Sequence, residues 1–133
     1  MLEEAKSHCD KLVVGVQVDP TIDRPQKNKP IMSLDERLIM VRSMRWVDAV
    51  HTYETEAGLL TLLDIVKPDV RIVGADWKGK QFTGWQLPIR VIFNTRGHAY
   101  SSSALRDRVF EAEMRRRADA ALLPYIDNVI KAL

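Results

Sequence analysis

Cysteine is almost missing from this 133-residue chain: Cys9 stands alone, so no internal disulfide can form, which suits a reducing compartment. Histidine is nearly as scarce. With only His8, His51 and His98, far apart, no zinc-ligand spacing exists and no metal site is expected. No apolar run approaches a membrane span, and the opening Met-Leu-Glu-Glu-Ala-Lys is not a secretory signal. Neither sign of charge dominates. A net charge of +2 gives no argument for nucleic acid. Together these absences predict a cytoplasmic, soluble protein without membrane or nucleic-acid partners. What is present, 46% apolar and 29% charged residues, is ordinary for one globular domain with a real core.

The chain alternates between two kinds of apolar pattern. Residues 11–18 (Lys-Leu-Val-Val-Gly-Val-Gln-Val), 70–73 and 89–93 are short, nearly continuous apolar runs, as strands buried on both faces should be. A shorter strand is expected to end near Tyr53. Helical spacing marks residues 2–7, 33–44 and 57–66, the second opened by a Ser33-Leu-Asp-Glu36 capping box and the third stopped by Pro68. In the second, Leu38, Met40, Val41 and Met44 form the expected apolar side. From Ala104 onward the pattern is helical again. Leu122, Ile126, Val129 and Leu133 form an amphipathic tail that must bury its stripe on the domain or a second subunit, and Pro124 suits only a first turn. Strands alternating with helices in this way predict an α/β fold with a parallel sheet.

Three polar stretches carry the candidate chemistry, each beyond the end of a strand, where open α/β sheets bind ligands. Residues 19–32 form a long loop with Lys27 and Lys29, candidate contacts for a triphosphate; the alternative is a solvated loop whose lysines serve solubility. Gly74-Ala-Asp-Trp-Lys-Gly-Lys80 combines glycine, carboxylate, aromatic ring and lysines, which suggests nucleoside recognition by Gly74, Asp76 and Trp77. Taken singly, Trp77 reads as a packing residue and Asp76 as a turn residue. Residues 94–108 leave a strand through Thr95, Arg96 and Gly97 and reach Tyr100, Ser101, Ser102 and Ser103 where a helix begins. Unpaired N–H groups at a helix start, with serine hydroxyls and Arg96 and Arg106 nearby, make a good phosphate site. Serines also cap helices, and the two roles are compatible. Arg37, Arg42 and Arg45, like Arg115, Arg116 and Arg117, read most simply as solvated faces.

Taken in order, these stretches resemble the small cytidylyltransferases, typified by glycerol-3-phosphate cytidylyltransferase. The resemblance rests on Val14-Gly-Val-Gln-Val-Asp19, the basic loop, Arg37 and Arg45-Trp-Val-Asp48, then on Val73-Gly-Ala-Asp-Trp-Lys-Gly-Lys80. It rests last on Thr95-Arg-Gly97 and Tyr100-Ser-Ser-Ser-Ala-Leu105, similar to the family's Arg-Thr-x-Gly-x-Ser-Thr-Thr signature with Asn94 in place of the arginine. The resemblance covers residues 2–108 and implies a Rossmann-like doubly wound parallel sheet in strand order 3-2-1-4-5, usually dimeric. It implies transfer of a cytidylyl group from CTP, with Mg2+, to a small phosphorylated alcohol such as glycerol 3-phosphate, releasing pyrophosphate. Lys29 and Ser102 are then the catalytic candidates, and Arg37 and Arg45 the candidate substrate contacts.

The family opens with a strand and a His-x-Gly-His motif. Neither is present in these 133 residues. The expected domain, residues 1–110, is therefore an N-terminally truncated one lacking its first, central strand, followed by a helical extension over 111–133. Without that strand, the strands near Leu12 and Val70 are expected to pair with each other or with a second chain, since buried edges cannot stay unpaired. Losing one donor nearest a reacting phosphorus costs about a hundred- to thousand-fold in rate. The chain by itself is accordingly expected to be a weak catalyst or none. The alternative to an enzyme is a nucleotide-binding or oligomerisation module derived from the same family.

Overall fold

A computed structural model describes residues 1–95, 97 and 100–132. The chain divides into two compact units, Met1–Arg96 and Gly97–Leu133. The first contains α1 (Leu2–Lys6), β1 (Val13–Gln17), α2 (Leu34–Arg42), β2 (Ala49–Tyr53), α3 (Glu56–Val66), β3 (Val70–Val73) and β4 (Arg90–Phe93), in that order. A 3-10 turn, Ala75–Trp77, follows β3. The second unit is one helix, α4 (Ser102–Ala132), with the segment leading into it. Among the described residues no helix is long and apolar enough to cross a membrane.

All strand pairing is parallel, as the α/β pattern requires. Val13 stands opposite Ala49 and Gln17 opposite Tyr53; Val70 stands opposite Arg90 and Val73 opposite Phe93. The expected pairing of β1 with β3 is not made: the described strands form two separate sheets, β1-β2 and β3-β4. Helix α3 lies beside β1 and beside the connection that follows β3. Its Leu62 reaches Gly15 of β1, whose missing side chain also leaves room for the Tyr53 ring, while Leu60 reaches Gly84 beyond β3. The strands are also less buried than their apolar runs suggest. Every residue of β1 and β2 is half-buried or exposed, and among the described residues the buried apolar side chains are Ala5, Leu12, Leu38 and Val73. A two-stranded sheet has no inner strand to enclose, so continuous apolar character here does not translate into burial on both faces.

Local signals were obeyed closely. The capping box forms, with Glu36 N–H donating to Ser33 Oγ at 3.2 Å and Ser33 N–H to Glu36 Oε2 at 2.7 Å. Thr55 caps α3 by accepting from Gly58 N–H at 3.0 Å, and Lys67, at φ 46°, ends it before Pro68. On α2, Leu38 is buried as expected, but Met40 is half exposed. In α4, Ser101 Oγ accepts from Ala104 N–H at 3.1 Å, and Glu113 pairs with both Arg116 and Arg117 at 2.8 Å. Pro124 lies inside α4 and not in a first turn. The lost N–H bond and ring clash cost about 3 kcal/mol, which the helix formers on either side outweigh. Leu122 of the expected apolar stripe is 55% exposed; Ile126, Val129 and Leu133 fall outside the described side chains.

Asn94 and Asp48 are two of the polar residues that tie elements of the first unit together. Asn94, 7% exposed, accepts from Ala75 N–H at 3.1 Å through its side-chain oxygen, fixing the turn after β3 to the end of β4. Asp48 accepts from Lys6 Nζ and from Leu12 N–H, both at 2.6 Å, and so joins α1, the start of β1 and the start of β2. The lysine and the amide hold the Asp48 carboxyl below its usual range.

Substituting Asn94→Ala leaves the Ala75 amide unpaired and is expected to cost about 1–2 kcal/mol, read as a lower urea midpoint with unchanged slope. For Asp48 the folded-state pKa is depressed, so its contribution is present above the unfolded value and lost as pH falls through the folded one. Melting curves should therefore show Asp48→Asn less stable than wild type near neutral pH. That gap should close below the ordinary aspartate range; a gap independent of pH would contradict the assignment.

Candidate functional site

A parallel sheet sends the segments after its strands out from one edge, and here the segments after β1, β2 and β3 meet around a groove of about 420 Å³. Arg24 comes from the loop after β1, Glu56 and Leu60 from the start of α3, and Trp77, Phe82 and Trp85 from the β3–β4 connection. Trp77 is 38% and Trp85 53% exposed, so both present ring surface to solvent. Gly84 makes the bend between Phe82 and Trp85 possible. Its φ is +74°, and a Cβ there would lie 3.0 Å from Arg71 Nη1 and from Leu87 Cδ1.

The groove floor is a polar cluster centred on Glu56. Arg24 Nη2 lies 2.7 Å from Glu56 Oε1 and donates to Gln17 Oε1 at 3.2 Å, tying the loop to the last residue of β1. Thr83 Oγ1 donates to the other Glu56 oxygen. Asp23 accepts from Glu56 N–H at 2.6 Å, a carboxylate at a helix start, where the helix dipole favours it. Arg71 donates to Thr83 O at 2.5 Å and lies over the Phe82 ring, 5.2 Å from its centroid. Burial lowers the pKa of Arg71, and burial together with the Glu56 charge raises that of Tyr53.

The basic loop leaves β1 under firm restraint. Arg37 donates to Gln17 O at 2.7 Å and Val18 O at 2.5 Å, so its terminal nitrogens fix the strand end. Asp19 accepts from the Thr21 amide and hydroxyl, which hold its carboxyl below the usual range, and lies 3.9 Å from Lys29 Nζ. Lys29 is 81% exposed and Lys27 is exposed as well. Arg45 precedes β2, at the edge away from the strand ends, and its guanidinium stacks over Trp46 at 4.8 Å.

Gly74 caps the 3-10 turn that carries Asp76 and Trp77, with Asp76 exposed. Thr95, just past β4, donates its amide and hydroxyl to Glu4 Oε1 at 2.6 and 2.9 Å; those two bonds hold the Glu4 carboxyl below its usual range. Arg96 lies outside the described residues. The serine segment belongs to the second unit. There Tyr100, Ser101, Ser102, Leu105 and Arg108 line a recess of about 350 Å³, with Gly97 and Ser103 exposed nearby in sequence. Within the first unit the structure thus brings Trp77 to the groove rim and keeps the root of the Lys27–Lys29 loop beside it.

Sequence reasoning missed Arg24, Glu56, Thr83 and Trp85. The signal that could have found two of them is Phe82-Thr-Gly-Trp85, which places a glycine between aromatics and marks a tight bend with exposed rings. Glu56 gave no comparable signal, because an acidic residue at a helix start is ordinary.

A cytidylyltransferase-like family model matches residues 1–108. The bifunctional protein HldE of Helicobacter pylori strain HPAG1 is 33% identical over 109 residues, covering 81% of this chain and 23% of that protein. HldE of Aliarcobacter butzleri is 33% identical over 87 residues, covering 65% and 18%, and HldE of Hahella chejuensis is 32% identical over the same length and shares. The chain thus spans about a quarter or less of the length of the curated relatives it matches. The chain belongs to the cytidylyltransferase-like family.

Proposed function

We propose that this member of the cytidylyltransferase-like family handles the nucleotide in a nucleotidyl transfer, with CTP as donor and a small phosphorylated alcohol such as glycerol 3-phosphate as acceptor. The observation that carries the reading is the meeting of the segments after β1, β2 and β3 around one groove, with a lysine-bearing loop rooted beside exposed tryptophan rings. In this reading an acceptor phosphate oxygen attacks the α-phosphorus of CTP. The new P–O bond forms as the bond to the β-phosphate breaks, and pyrophosphate leaves with the electron pair. Such a reaction needs alignment and donors placed against developing negative charge. Lys27 and Lys29 supply cations for the outer phosphates; in the second unit, Ser101, Ser102 and Ser103 offer hydroxyls and helix-start amides as a phosphate contact considered by itself. Trp77 offers a face to the base, with Gly74 leaving room for close approach.

Magnesium takes oxygen ligands and commonly reaches such sites on the substrate phosphates, with one or two protein carboxylates. Among the described residues no group of three His, Cys, Asp or Glu side chains is gathered. The residues present therefore fit an ion that arrives with the triphosphate, with Asp76 the carboxylate at the end of β3. Bound there, the ion would neutralise phosphate charge. The apolar side chains exposed on α4, among them Val109, Phe110 and Leu123, support a homodimer or higher homo-oligomer.

A second reading has its own observation. No His-x-Gly-His occurs in these 133 residues, so the chain by itself is expected to bind nucleotide without appreciable turnover. Titration calorimetry with CTP and Mg2+ tests both readings. Lys29→Ala and Ser102→Ala should each weaken binding, by roughly threefold to tenfold for a charge-assisted contact. Unchanged affinity in both variants removes the phosphate site. Pyrophosphate release with CTP and glycerol 3-phosphate then separates enzyme from binding module: binding without release favours the module.

A further inference from the structure

We propose that Glu56 is a positioning residue that locks the basic loop and the aromatic connection into one arrangement; its consequence for ligand binding rests on the reading that Lys27 and Lys29 hold a triphosphate. The loop's backbone hydrogen bonds are local, Arg24 N–H to Pro20 O at 3.2 Å and Lys27 N–H to Arg24 O at 2.8 Å. Residues 19–32 contain no helix or strand, and Lys27 and Lys29 are exposed. Such a loop samples many conformations unless its root is held, and every conformation lost on binding weakens the ligand.

At the root, two consecutive residues are held by the first residue of α3. Asp23 accepts from the Glu56 amide at 2.6 Å, and Arg24 pairs with the Glu56 carboxylate at 2.7 Å. The carboxylate's second oxygen accepts from Thr83, and Thr83 O accepts from Arg71, on β3 itself. Glu56 therefore joins the loop after β1 to the segment bearing Phe82 and Trp85 through one planar group whose two oxygens cannot move independently. The side chains of Arg24 and Glu56 are only 31% and 28% exposed, so the pair is less screened than a surface ion pair. No ligand needs to touch Glu56 for this. It acts by holding Arg24 and Thr83, and through them the lysines three and five residues beyond Arg24.

Limited trypsin digestion reads the loop directly. Arg24 and Lys29 each precede a proline, so within residues 19–32 the bond trypsin cuts is Lys27–Asn28. In the full chain, Glu56→Gln should raise the rate of that cut roughly fivefold or more, as expected for weakening a local restraint. The cut after Lys11, remote from the cluster in sequence, should keep its wild-type rate. Arg24→Gln should reproduce the effect, and the double variant should add little, since both changes break the same link. An unchanged cut at Lys27–Asn28 overturns the proposal, as does a uniform rise at every site, which would mean general destabilisation. The ligand arm compares CTP with CMP. Glu56→Gln should reduce the advantage of CTP over CMP by roughly fivefold, and an unchanged ratio overturns the role in positioning. If wild type binds neither nucleotide, the functional reading fails, and the digestion pattern alone decides whether Glu56 holds the loop.

Discussion

Parallel pairing constrains everything else in this chain. Two parallel strands cannot be joined by a tight turn, so each must be followed by a crossover that returns the chain to its starting edge. Here β1 reaches its partner β2 through the basic loop and α2, and β3 reaches its partner β4 through residues 74–89. The consequence is that polar segments leave from the same ends of successive strands, whatever their individual sequences. The groove takes Arg24 and Glu56 from the segments after the two strands of the first sheet and Trp77 from the segment after the first strand of the second.

Helix α3 has two duties under this constraint. Its body packs Leu62 against the first sheet and Leu60 against the connection that follows β3, the first strand of a second sheet that shares no hydrogen bonds with the first. Its first residue meanwhile gathers polar groups from the neighbouring segments. Packing and polar cross-linking thus fall to different turns of one helix. The two-sheet arrangement has a cost in burial: apolar side chains that an inner strand would cover remain half exposed. Polar ties carry correspondingly more of the fold. Asp48 joins α1 to both strands of the first sheet, and Asn94 joins the two strand ends of the second.

Several candidate residues turn out to serve the scaffold that presents the site. Arg37 spends its guanidinium on the carbonyls at the end of β1, and Arg45 stacks on its neighbour Trp46. Thr95 is engaged by Glu4, a carboxylate from the other end of the first unit. The Arg37 and Thr95 contacts join residues distant in sequence, and contacts of that kind leave no mark on local composition.

What the sequence determined by itself was the kind and order of the elements and the strand ends that carry polar chemistry. Runs of β-branched residues, helical spacing, the Ser33–Glu36 box and the stop at Pro68 are local signals that act over a few residues, and the chain followed them. The basic loop, the Gly74–Lys80 stretch and the serines were legible for the same reason, because unusual residue types cluster there. Only the tertiary structure decided that β1 and β3 stay apart, that the strands are half-buried, and that Pro124 lies within a continuous helix. It alone placed Glu56 between Arg24 and Thr83, residues 32 and 27 positions away. Pairing, burial and charge contacts are decided by which distant groups compete for the same space, and a pattern read along the chain contains no record of that competition.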